Sequence, residues 1–175
     1  MEYRPTQEPD LMNEAAERVE REITFEQCDF SNPDHLNLLV ALHGEYMSDP
    51  MGDHAPHSKL QQLRLVDALN SREGATVLFA CEGERGLAMA ICFELFSTFH
   101  IKPYLYIHDF IVTKECRNRG VGRRLMEQLF KIGRERGYCK VTLEVRSDNP
   151  SAQSLYRKSG FTPCTPDMYF WNKIL

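Results

Sequence analysis

The apolar positions of this chain fall into short runs of period two, separated by longer runs of helical spacing. Residues 23–28 set Ile23, Phe25 and Gln27 against Thr24 and Glu26, the alternation of a half-buried strand. Ser31-Asn32-Pro33 joins a capping side chain to a first-turn proline, which predicts a helix running through Leu36, Leu39, Val40 and His43 to about Tyr46. Residues 47–56, with Gly52 and two prolines, read as a loop. A second helix over 58–69 lines up Leu60, Leu63, Val66 and Leu69. Residues 76–81 and 86–95 make a hairpin across a turn at 82–85. Residues 96–103 form an aromatic loop, and 104–113 the next strand. The long helix that follows carries Val121, Leu125, Leu129 and Ile132 at helical spacing and stops at Gly137, where Arg134 and Arg136 suit its negative end. Val141, Leu143 and Val145 mark a strand over 140–146. Asn149 then caps a short helix with Pro150 first, ending at Gly160. Residues 161–164 and 168–174 are predicted to close the sheet. Strand, helix and strand over 104–146 imply a parallel pair and the hairpins antiparallel ones, so the expected class is α/β with a mixed sheet.

The handover at 113–121 changes the picture from fold to chemistry. Arg117-Asn118-Arg119-Gly120-Val121-Gly122 lies between a strand and a helix start, and two glycines there leave backbone N–H groups uncovered by any Cβ. Such a turn can hold an anion against the positive end of the helix dipole. Arg117, Arg119, Arg123 and Arg124 crowd the same place, although positive side chains oppose that dipole. A local rule broken four times in eight residues points to a ligand with several negative charges, such as a pyrophosphate. It is not a P-loop, because Arg123-Arg124 follow Gly122 where Lys and Ser/Thr are needed. Nor is it a dinucleotide turn, since position 125 is Leu and the motif lies two-thirds along the chain.

Charge narrows the ligand. Residues 1–22 hold three arginines and seven acids, which account for the whole net charge of −4, and the remainder is balanced. A nucleic-acid binder should carry a broad basic surface, so a small anionic cosubstrate is expected and no nucleic acid. No apolar run approaches the ~20 residues of a membrane span, and no secretory signal is read at the start. Six scattered cysteines without Cys-x-x-Cys spacing fit a reducing cytoplasm. Residues 1–22 read as an acidic extension, disordered or helical, that could serve a homodimer. Residues 23–175 read as one domain.

Arg-x-x-Gly-x-Gly, followed by Asp148-Asn149-Pro150-Ser151-Ala152-Gln153-Ser154-Leu155-Tyr156 and Gly160-Phe161, resembles the acetyl-CoA signature of the GNAT superfamily of N-acetyltransferases. The resemblance runs from about Ile23 to the C-terminus. It implies the GNAT fold, a largely antiparallel mixed sheet with a central parallel pair and flanking helices. It also implies acetyl-CoA as cosubstrate, with Arg117, Asn118, Arg119, Gly120, Val121, Gly122 and Arg123 around the pyrophosphate. By the same resemblance the backbones of Phe110, Ile111 and Val112 bond the pantetheine, which passes Asn149, Ala152 and Tyr156. Tyr156 would be the general acid for the departing thiolate. The strand at 106–113 looks locally like diamine acetyltransferases, but His108 stands where these have a glutamate.

The residues themselves suggest the rest. Asn149, Ala152 and Tyr156 share one helix face, a polar, a small and a phenolic group in line. An alkylammonium must lose a proton before it attacks, and His108, Asp109 or water could take it. Tyr46, Asp49, Met51, Phe96 and Phe99 are expected to meet the substrate, the carboxylate leaning toward a cationic amine. Asp53, His54 and His57 lack a fixed face and a fourth ligand, so no metal is expected. The rival to an amine acetyltransferase is a non-catalytic acyl-CoA-binding module, which would have no need of Tyr156.

Overall fold

The computed structural model describes residues 22–52 and 54–175. The expected tail or added helix lies outside them, apart from Glu22. Five strands form one sheet in chain order: β1 (Ile23–Gln27), β2 (Ala75–Glu82), β3 (Arg85–Ser97), β4 (Lys102–Val112) and β5 (Val141–Leu143). All neighbours are antiparallel except β4 and β5. Among the described residues four helices cover the sheet: α1 (Pro33–Ser48), α2 (Lys59–Ser71), α3 (Val121–Glu135) and α4 (Pro150–Lys158).

Helices α1, α2 and α4 begin where side chains satisfy their first N–H groups. Asn32 accepts from the Asp34 N–H and Asn149 from the Ala152 N–H, at 2.9 and 3.1 Å. Ser58 and Gln61 close a reciprocal capping box. Leu78, Ala80, Ala90, Leu105 and Ile107 pack with Val121, Leu125 and Leu129 of α3 and Tyr156 of α4. Val77, Phe79, Met89, Ile91 and Ile111 pack on the other face with Leu39 and Leu42 of α1. The middle strands are therefore apolar on both sides, which obscures the alternation that marks an outer strand.

A β-bulge governs the middle of β4. Ile91 pairs with Asp109 and Cys92 with Ile107, so His108 is an extra residue with no partner on β3. Leu105 and Ile107 face α3, as do Phe110 and Val112 beyond the bulge. The extra residue thus lets two consecutive side chains, His108 and Asp109, lie on the α1 side.

Three boundaries differ from the sequence reading. The aromatic loop shrinks to residues 98–101, because β3 runs on through Ser97 and β4 starts at Lys102. The strand expected over 140–146 pairs only at 141–143. The two closing strands do not form: residues 161–175 join no ladder, and Trp171, for example, is 86% exposed. Pro163 and Pro166 remove backbone donors from that stretch, and apolar content alone cannot supply a partner strand. The parallel pair consequently lies at one end of the described sheet.

Phe79 is fully buried in the α1-side core. Phe79→Ala should cost about 3–5 kcal/mol of unfolding free energy, measurable as a lower urea midpoint with an unchanged slope.

Candidate active site

β4 and β5 part after the Ile107–Leu143 pair, while β4 continues to Val112. The edge of β4 beyond that point has no strand on its β5 side. A cleft of about 730 Å³ opens there, bounded by Phe110, Ile111 and Val112 of β4, the turn before α3, one face of α4, and Tyr46, Asp49 and Met51 at the end of α1.

The turn is shaped as an anion cradle. After a single 3-10 turn at Lys114–Cys116, Asn118 takes φ 61° and Gly120 takes φ 78°, both left-handed. Gly120 is the N-cap of α3 and offers no side-chain acceptor, so the N–H groups of Val121, Gly122 and Arg123 lack helical partners. The glycines serve different needs. A Cβ at Gly120 would meet nothing within 4 Å, whereas one at Gly122 would lie 3.0 Å from Val112 Cγ2 and 3.2 Å from Leu155 Cδ2. Gly120 therefore supplies the left-handed turn, and Gly122 lets α3 pack against β4 and α4.

The arginines separate by position. Arg117 and Arg123 line the cleft; Arg119 and Arg124 do not. Arg119 turns to Glu82 at 3.7 Å and to Cys116 Sγ at 3.7 Å, while Arg124 lies over Phe25 and donates to the Ile23 carbonyl. Arg123 pairs with Glu127 on the exposed helix face.

Arg117 joins the two halves of the site. Its Nη2 donates to Asp49 Oδ2 at 2.7 Å and its Nε to the Val112 carbonyl at 3.1 Å. Asp49, only 8% exposed, also accepts the Met51 N–H through Oδ1. Burial raises its carboxyl, but Arg117, the Met51 N–H and Lys114 together leave it below the ordinary value. The carboxylate expected to attract an amine is thus compensated from within the protein. The bond spans 68 positions, so no local signal in the sequence pointed to it.

Tyr156 stands on α4, 9% exposed, between Phe110 and Phe161. Burial, with Tyr46 nearby adding, pushes its phenol up to about 12, so the hydroxyl keeps its proton at neutral pH. Asn149 and Ala152 line the same wall. His108 and Asp109 lie beside the cleft rather than in its lining, with His108 Nδ1 3.0 Å from Asp109 Oδ1. Phe96 and Phe99 are remote from the cleft wall, and Phe99 is 98% exposed at its turn. Asp53 is outside the described residues, and His57 stacks on His43 instead of joining a metal cluster. That pair was not singled out in the sequence, where His43 reads as one position of an apolar helix stripe.

The chain belongs to the acetyltransferase (GNAT) family, whose profile matches residues 36–161. Among curated relatives, the N-alpha-acetyltransferase RimI of Mycobacterium tuberculosis is 42% identical over 60 residues, 34% of this chain and 36% of that protein. A D-amino-acid N-acetyltransferase of Saccharomyces cerevisiae is 29% identical over 98 residues, 56% of this chain and 60% of that one. The matches thus span less than two thirds of these relatives. An aminoglycoside acetyltransferase from an uncultured soil metagenomic sample, solved with sisomicin, superposes with a TM-score of 0.75 at 16% identity, covering 90% of this chain and 99% of its own. An aminoglycoside N-acetyltransferase in complex with CoA gives 0.70 at 15% identity, covering 87% and 95%. At these identities the likeness is one of fold.

Two outcomes follow. Gly120→Asn should cost under about 1 kcal/mol, since asparagine enters the left-handed region readily, whereas Gly122→Asn should cost about 1–3 kcal/mol by overpacking. Thermal unfolding of the two variants separates them. Asp49→Asn should lose about 1–2 kcal/mol at pH 7, discounted because Arg117 is part exposed. Because the folded Asp49 pKa is depressed, its contribution is present above the ordinary aspartate value and vanishes as pH falls through the folded one. Urea denaturation should therefore find wild type and variant converging as the pH is lowered below the ordinary aspartate value.

Proposed function

We propose that this protein is an acetyl-CoA-dependent N-acetyltransferase that transfers acetyl directly to a primary amine of a small molecule or peptide. The observation that carries the reading is the single cleft faced by the uncapped start of α3, the unpaired edge of β4 and the Tyr156 hydroxyl. The residues fit the cosubstrate's chemistry. The N–H groups of Val121, Gly122 and Arg123, with Arg117, receive the pyrophosphate. The backbone of Phe110, Ile111 and Val112 extends the sheet by bonding the pantetheine amides, while Asn149 and Ala152 give that arm a polar contact and room.

Thiol chemistry is a poor alternative. Cys116, the cysteine that lines the cleft, is fully buried and meets Arg119 rather than a histidine that could activate it. Cys28, Cys81 and Cys92 lie outside the lining, and burial raises their thiols. Direct attack needs no acyl-cysteine. The acceptor enters from the α1 side of the bulge, where Asp109 and His108 attract and orient its ammonium group. N–H groups of β4 stabilise the oxyanion that develops on the thioester carbonyl. Tyr156 donates to the leaving sulfur. A phenol held near 12 is a weak acid beside a thiol of ordinary pKa near 8.5, so its main contribution is the hydrogen bond as charge accumulates on sulfur. The N-acetyltransferases among the relatives favour nitrogen as the acceptor atom.

Screening diamines, aminoglycosides, amino acids and peptide N-termini for CoA release tests the assignment, and no release with any of them would reject it. Tyr156→Phe keeps the ring and removes the donor. It should leave acetyl-CoA affinity unchanged by calorimetry while kcat falls by roughly 10–10³-fold, at or just below the usual range for acid–base groups. Wild-type kcat in that variant would remove Tyr156 from the chemistry but leave the transferase standing.

A further inference from the structure

Proton removal from the acceptor needs a basic lone pair at the amine end of the cleft. His108 engages Asp109 at 3.0 Å through Nδ1 and is more than half exposed, so water competes for its other ring nitrogen. His43 is not so engaged. It lies on α1, three residues and so one turn before Tyr46, whose ring is 6.4 Å away and which itself lines the cleft near Tyr156. Its imidazole is half-buried and stacks on His57 at 5.3 Å with a 21° tilt. Neither ring nitrogen has a hydrogen-bond partner among the described residues. The β4 bulge turns Asp109 and His108 toward the same side.

We propose that His43 is the base of the reaction, taking the proton of the acceptor amine through its unbonded ring nitrogen while Asp109 supplies the balancing negative charge. The assignment rests on the transferase reading above. One proton leaves the ammonium nitrogen for the imidazole, and the freed nitrogen lone pair forms the C–N bond. The nitrogen, now bonded to the carbonyl carbon, gives up its second proton to solvent as the C–S bond breaks with its electrons on sulfur. This leaves a neutral amide and a thiolate facing the Tyr156 hydroxyl, and His43 releases its own proton to solvent.

The surroundings suit that cycle. The groups facing His43 are Asp109 and His108 from β4, and His57 from the segment before α2. Burial, with His57 and His108 nearby, holds the imidazole below its ordinary value, and Asp109 only partly offsets them. His43 is therefore neutral and able to accept at pH 7. The stack with His57 fixes the ring plane.

The test uses the full chain and one amine, of pKa near 10, that the wild type acetylates. His43→Gln should lower kcat/KM at pH 7 by roughly 10²-fold with acetyl-CoA affinity unchanged, and the loss should shrink markedly by pH 10, where about half of the amine is already neutral. A structural role would give the same loss at both pH values, and that result would overturn the assignment. Histidine NMR supplies a readout independent of turnover. His43 should titrate below the ordinary 6.5, and lower still in Asp109→Asn, because the carboxylate that raises it is gone. An unmoved midpoint in Asp109→Asn would break the proposed pairing. If the wild type acetylates no amine, the transferase reading itself falls, an outcome distinct from either of these.

Discussion

The parting of β4 from β5 is the constraint on which the site depends. A parallel strand pair that remained zipped to Val112 would satisfy the backbone of residues 108–112 internally and leave nothing for a ligand to bond. Here the ladder stops at Ile107–Leu143, and β4 alone continues, its other edge still held by β3. The strand stays rigid while one row of polar groups is left open. α3 starts where β4 ends, so its uncapped N–H groups meet that open row, and α4 returns on the same face to bring Tyr156 to it. A gap in hydrogen bonding, bordered by rigid elements, is thus the template for the cleft.

Charge holds the two sides of the gap in place. Arg117 reaches across to Asp49 and also bonds the last carbonyl of β4, so the end of α1, the strand terminus and the anion turn share one guanidinium. The pair is mostly shielded on the aspartate side, where breaking it leaves a buried carboxylate with the Met51 N–H but without its counter-charge. Movement of the loop at 49–52 is therefore mechanically tied to the turn before α3. An anion that draws Arg117 toward itself also pulls on Asp49, and through Asp49 on the turn at Met51.

The elements were largely legible because each carries a local cause. Asn32-Pro33, Ser58 with Gln61, and Asn149-Pro150 announce helix starts through their own side chains, and Gly120-Val121-Gly122 announces an uncapped one. What was hidden depends on partners remote in sequence. Asp49 looked like a free carboxylate because Arg117 is far along the chain. Arg119 and Arg124 looked like phosphate ligands because spacing cannot say which way a long side chain turns. His43 looked like a core position because its companions, His57 and Asp109, come from other elements. The two closing strands were inferred from apolar content at 161–164 and 168–174, and β pairing requires an available edge as well as suitable residues.

The bulge at His108 has a consequence for how such a site can be rewritten. On either side of it the inward-facing residues keep one phase, so residue 108 is supernumerary to the cores that flank it. In mutational terms it is a one-codon insertion with no frame to disturb. Deleting it would straighten β4, leave Leu105, Ile107, Phe110 and Val112 facing α3, and take one functional group from the acceptor side. Chain length, as much as residue identity, is then a variable by which acceptor chemistry on this scaffold can change without repacking either core.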